Sequence, residues 1–141
     1  MTKYSKTPPY IIARPSLRYL DLNPFRARHP ILILFTDGVD NLVSGRFVFQ
    51  STPRKEEPSA VVGALLGDEV GLQVEGILGH RVEHGWQGCD GNRAIEVLGN
   101  LLGGTDIQRL SMTMDLELLS DTDDTRFYID DTSIIVCDIF S

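Results

Sequence analysis

Two short acidic stretches carry the residue types best suited to chemistry. Asp37-Gly38 follows the run Ile31-Leu32-Ile33-Leu34-Phe35-Thr36, and Asp130-Asp131 leads into Thr132-Ser133-Ile134-Ile135-Val136. Carboxylates are hard oxygen donors, so two of them at one sheet edge make half of a site for Mg²⁺ or Mn²⁺. Residue order gives the expected geometry. Five consecutive apolar residues, mostly branched, are too few for an isolated helix and suit a strand buried on both faces. The glycine then allows a sharp turn, which sets Asp37 at the carboxyl end of that strand. The second stretch is the mirror case, with the acids before the strand. If the two strands neighbour each other antiparallel, Asp37 and Asp130 meet at one edge. Either motif by itself is the mark of an ordinary turn; the combination is what points to a cation.

Other constellations are weaker. His80 and His84 stand four residues apart with Cys89 beyond, a spacing open to zinc, but flanking glycines argue against a firm helix and no fourth ligand is placed. A solvated loop is the better reading. Asp121-Thr122-Asp123-Asp124-Thr125 matches an aspartyl-phosphate nucleophile motif of haloacid-dehalogenase type. Only sixteen residues follow Thr125, too few for the rest of that site. As a calcium loop the same stretch fails, because Arg126 stands where glycine is needed and Thr132 where the bidentate Glu belongs. Leu102-Gly103-Gly104-Thr105 lacks the lysine of a phosphate loop.

The elements that must position these residues read as follows. Leu17, Tyr19 and Leu22 alternate loosely as a strand, and Asn23-Pro24 and His29-Pro30 bracket a turn. Val39 to Val43 gives one helical turn ended near Gly45. Pro58 opens a helix in which Ala60, Ala64 and Leu65 share a face with Val61. From Val70 to Asp90 the glycines leave a loop with one short helix. Asn92 caps a helix from Arg93 to Leu102 whose Ile95, Leu98, Leu101 and Leu102 line one face, and Gly103-Gly104 stops it. Leu110 to Leu119 forms a short irregular helix, Asp121 to Asp124 a polar turn, and Thr132 to Phe140 the last strand.

Composition narrows the class of partner. The chain has 141 residues, one domain or part of one, with a net charge of −7 and 42% apolar residues. That charge argues against nucleic acid or an anionic membrane surface as partner. No apolar run approaches the ~20 residues of a membrane helix, and residues 1–10 carry neither a secretory signal nor a transit-peptide pattern. Cys89 and Cys137 can pair, but Cys137 lies in a strand pattern, and a reduced, intracellular and soluble chain is the expectation.

The ordered set of motifs resembles the metal-dependent protein phosphatases (the PPM or type 2C class), and within it the pyruvate dehydrogenase phosphatase group. The likeness rests on Leu32 to Gly38 and Tyr128 to Val136, which resemble the last two signature motifs. Supporting segments are Thr7-Pro8-Pro9-Tyr10-Ile11, Asn92-Arg93-Ala94 with Leu101-Leu102-Gly103-Gly104, and Arg109-Leu110-Ser111-Met112-Thr113. It covers nearly the whole chain except Arg46 to Gly91. The resemblance implies an α+β fold, the C-terminal part of an α-β-β-α sandwich with antiparallel strands. It implies one phosphatase domain's C-terminal portion over residues 1–141, with an irregular insert at about 46–91. It further implies a site of two Mg²⁺ or Mn²⁺ ions, with Asp37 and Asp130 as ligands, acting on phosphoserine or phosphothreonine in protein. A dehydrogenase complex and a mitochondrial location belong to the same implication. Two departures stand out: Asp40 replaces an aromatic residue two positions after the glycine, and the family's Asp-Gly-His-Gly-Gly and phosphate-binding arginine are not in this sequence. The contrasting reading is a catalytically inactive remnant that serves as a binding or regulatory module.

Overall fold

A computed structural model describes residues 17–45, 56–67, 72–87, 91–115, 117 and 129–140. Among them, a 3₁₀ helix at Asn23–Arg28 precedes strand β1 (Ile31–Phe35) and helix α1 (Gly38–Ser44). Helices α2 (Pro58–Leu65) and α3 (Leu72–Leu78), a 3₁₀ turn at His84–Gln87, α4 (Arg93–Leu102), α5 (Ile107–Thr113) and strand β2 (Ile134–Asp138) follow. β1 and β2 pair antiparallel, from Ile31 opposite Asp138 to Phe35 opposite Ile134. The architecture is thus mixed helix and strand with a two-stranded antiparallel sheet. No described helix is long and apolar enough to cross a membrane.

The core lies among the helices. Val39, Leu42 and Val43 recur at the spacing of one helix face, so α1 buries that side completely. Val61, Val62 and Leu65 of α2, Leu66 after it, Val74 and Leu78 of α3, Val82, and Val97 and Leu101 of α4 complete the cluster among the described residues. Ile33, Phe35, Ile134 and Val136 pack on it from the sheet, and Leu98 and Leu102 from α4. The helix ends follow local chemistry. Gly45, at φ 66°, closes α1 with its N–H donating to Asn41 O. The Asn92 side chain accepts from Ala94 N–H at 3.0 Å and opens α4 where its sequence position indicated.

Several expectations need correction. β1 is not buried on both faces: its side chains alternate, and Leu34 is 53% exposed. Strand geometry sends successive side chains to opposite sides, and among the described residues only one side meets the helices. Leu17 to Leu22 forms no strand and is largely exposed, since no described strand pairs with it. In α4, Ile95 faces solvent, while Val97 and Leu101 turn inward. α5 starts at Ile107 rather than Leu110, because Asp106 caps it by accepting from Arg109 N–H at 3.0 Å. In α2, Ala60 is exposed and Val62 is buried instead. The segment Thr7-Pro8-Pro9-Tyr10-Ile11, Cys89 and the turn at Asp121 to Asp124 lie outside the described residues.

Candidate metal centre

The turn after β1 and the segment before β2 are clasped together. Thr36 N–H donates to Ser133 O at 3.1 Å, extending the strand ladder by one step. The Thr36 hydroxyl donates to Asp131 O at 2.9 Å and accepts from Ser133 N–H at 3.0 Å. One side chain therefore grips the opposing backbone on both sides of Thr132. Thr132 in turn donates its hydroxyl to Asp130 O at 2.9 Å, and Asp131 N–H donates to Asp130 Oδ1 at 2.9 Å. Gly38 is required for the approach: a Cβ there would stand 2.6 Å from Asp131 O and collide with the Thr132 hydroxyl. Neither the clasping threonines nor this use of the glycine was read from the sequence.

Asp37 and Asp130 consequently stand at the same end of the sheet. Asp37 is exposed at the mouth of α1, and its carboxylate does not cap the helix. Asp130 is half-buried. Together with Asp131, Thr132 and Ile129, it lines a cleft of about 370 Å³ walled by Leu42, Leu98, Leu102 and Thr113. Asp37 is not among the described residues lining that cleft. Asp40 is exposed in the first turn of α1. The two carboxylates are the donor type that Mg²⁺ or Mn²⁺ prefers, and both stand at one end of the sheet. They are too few to complete a site: among the described residues, no group of three or more His, Cys, Asp or Glu side chains could hold a metal.

The imidazoles go elsewhere. α3 ends at Leu78, so His80 and His84 do not share a helix face. His80 Nδ1 lies 3.0 Å from Arg81 O, and His84 Nδ1 lies 3.8 Å from the buried Glu96 carboxylate. Asn100, fully buried, accepts from Glu83 N–H at 2.7 Å and donates to Glu83 O and Glu96 O at 3.0 Å. That amide ties the loop after α3 to α4, which gives these residues a structural task.

No protein-family model, curated protein or solved structure matches the chain.

Proposed function

We propose that the chain is the C-terminal part of a metal-dependent serine/threonine protein phosphatase domain of pyruvate dehydrogenase phosphatase type, within a type 2C-like α-β-β-α sandwich. In this reading Asp37 and Asp130 each give a carboxylate oxygen to Mg²⁺ or Mn²⁺. The antiparallel pairing of β1 with β2 supports it, because that pairing carries both acidic turns to one end of the sheet. Held there, Mg²⁺ or Mn²⁺ would supply an acidified water and positive charge against the phosphoryl oxygens of phosphoserine or phosphothreonine. This chain's share of the work is positional. Thr36 and Gly38 fix the spacing between the two acidic turns, and Asp130 and Asp131 present oxygens to the cleft. A dehydrogenase complex as substrate and a mitochondrial location are part of the same proposal.

A second reading, an inactive binding or regulatory module, draws on one observation. Among the described residues, the cleft is lined by two acids, with neither an arginine to grip phosphate nor a third metal ligand. Calorimetric titration with Mn²⁺ separates the two when run on the wild type beside Asp37→Asn and Asp130→Asn. A site built from both acids binds with a Kd on the order of a millimolar, since water supplies most of the coordination. Either substitution then abolishes the heat. Unchanged binding in both variants would overturn the metal assignment. Phosphopeptide turnover by the isolated chain in millimolar Mn²⁺ should stay far below enzyme rates, because two carboxylates neither fix both ions nor orient the phosphoryl group. Robust turnover lost in Asp37→Asn would instead mean that further residues of this chain complete the site.

A further inference from the structure

The opposite end of the sheet holds a second, larger cleft of about 600 Å³, lined by Arg28, His29, Ile31, Ile33, Gly63, Leu66, Gly67, Arg93 and Asp138. Its lining combines the apolar Ile31, Ile33 and Leu66 with a rim of Arg28, Arg93 and Asp138, in a chain whose overall charge is −7. Arg93 is held in place by donating to Leu66 O at 2.7 Å and by Asp138 at 3.6 Å. Arg28 and His29 make no ion pair among the described residues, so the rim keeps a net positive charge. His29 sits at φ 47°, a left-handed conformation uncommon for a residue with a side chain. It holds the corner at which the 3₁₀ helix gives way to β1.

Gly63 of α2 lies in the wall of this cleft. A glycine inside a helix costs about 1 kcal/mol relative to alanine, and close packing usually explains it. At Gly63 a Cβ would meet nothing within 4 Å, as at Gly76 of α3, so an alanine fits there without repacking the chain. The missing side chain leaves open space in the wall of the cleft.

We propose that this cleft binds a phosphate monoester carried on an apolar body, with Arg28 supplying the guanidinium for the phosphate, Arg93 held beside it by Asp138 and Leu66 O, and Ile31, Ile33 and Leu66 receiving the apolar part. Charge-assisted contacts to guanidinium groups supply the phosphate recognition, and the volume lies in the range usual for small-molecule sites. The proposal stands apart from the metal reading, since Asp37 and Asp130 lie at the other end of the sheet.

The test is titration calorimetry of the full chain in EDTA with phenyl phosphate, inorganic phosphate and phenol. Phenyl phosphate should bind more tightly than either fragment and weaken as KCl is raised. Arg28→Gln should reduce its affinity roughly tenfold, whereas Asp37→Asn should leave it unchanged. Gly63→Ala is the sharper variant. It should raise the thermal midpoint by removing a helix-interior glycine, yet weaken binding roughly tenfold by filling the wall. Absence of phenyl phosphate binding overturns the proposal, and so does a Gly63→Ala chain that is stabilised but binds as well as the wild type. Binding that survives Arg28→Gln at full strength overturns it too.

Discussion

Val39, Leu42, Val43, Val62 and Leu101 in the helices are at most 1% exposed, whereas no residue of β1 or β2 is fully buried. The most apolar run of the sequence is therefore not the most enclosed part of the fold. The difference shows what holds the candidate site. Asp37 is fixed less by the strand before it than by the helix after it, since α1 inserts three side chains into the core within two turns of the acid. Leu42→Ala should accordingly cost about 3–4 kcal/mol in urea denaturation. Ile33→Ala, on the half-buried face of β1, should cost about 1–2 kcal/mol, because less surface leaves water there. Equal costs would break the contrast.

Two glycines sharpen the same contrast within the helices. A Cβ at Gly99 would lie 2.5 Å from Trp86 Cδ2, in contact with the ring. Gly99→Ala should therefore destabilise by about 2–3 kcal/mol through overpacking. The emission of Trp86, the chain's single tryptophan, should shift as the indole is displaced. At Gly76 in α3 a Cβ meets nothing within 4 Å, and Gly76→Ala should stabilise by about 0.5–1 kcal/mol. If both substitutions moved stability in one direction, the Trp86 ring would not be seated on α4.

The clasp comes next in size. Thr36→Val keeps the shape of the side chain but deletes the hydroxyl that serves both Asp131 O and Ser133 N–H. Both groups are exposed enough for water to replace it, so the expected cost is about 1 kcal/mol. Mn²⁺ affinity should fall with it, since the spacing of the two acidic turns loosens. An unchanged affinity would show that the ladder alone sets the spacing.

How far the sequence discloses this fold depends on whether the cause is local. Gly45 after α1, Asn92 before α4 and Gly103 after it act through hydrogen bonds to their own neighbours, and the structure has each helix end where those residues put it. Asp106 sends the same kind of signal for α5. It is masked by Gly103-Gly104-Thr105, which reads as a terminator, and nothing in that triplet says how soon the next helix starts. The joining of the two acidic turns was legible from the strand-then-acid and acid-then-strand order. The Thr36 clasp was not, because a threonine's partner ninety-five residues away leaves no mark on spacing. Nor does an apolar run state what covers each of its faces. Leu17 and Tyr19 alternate as a strand should, but alternation without a partner strand leaves backbone groups to water.

The outer face of the sheet should respond least of all. Leu32 lies opposite Cys137 and Leu34 opposite Ile135, and all four are exposed. Among the described residues nothing packs on them, so a side chain there loses little contact with water on folding. Leu34→Thr introduces β-branching suited to a strand and removes apolar surface that contributes little in the exposed state. Its effect on the urea midpoint should lie within about 0.5 kcal/mol. The same variant should lower any tendency to self-associate, because it interrupts an apolar patch beside open strand edges. Sedimentation of wild type and variant across a concentration series reads this second effect separately from stability. A loss comparable to that of Ile33→Ala would mean that the outer face is enclosed after all. The contrast between an enclosed helical core and a half-covered sheet would then fail at its most exposed residue.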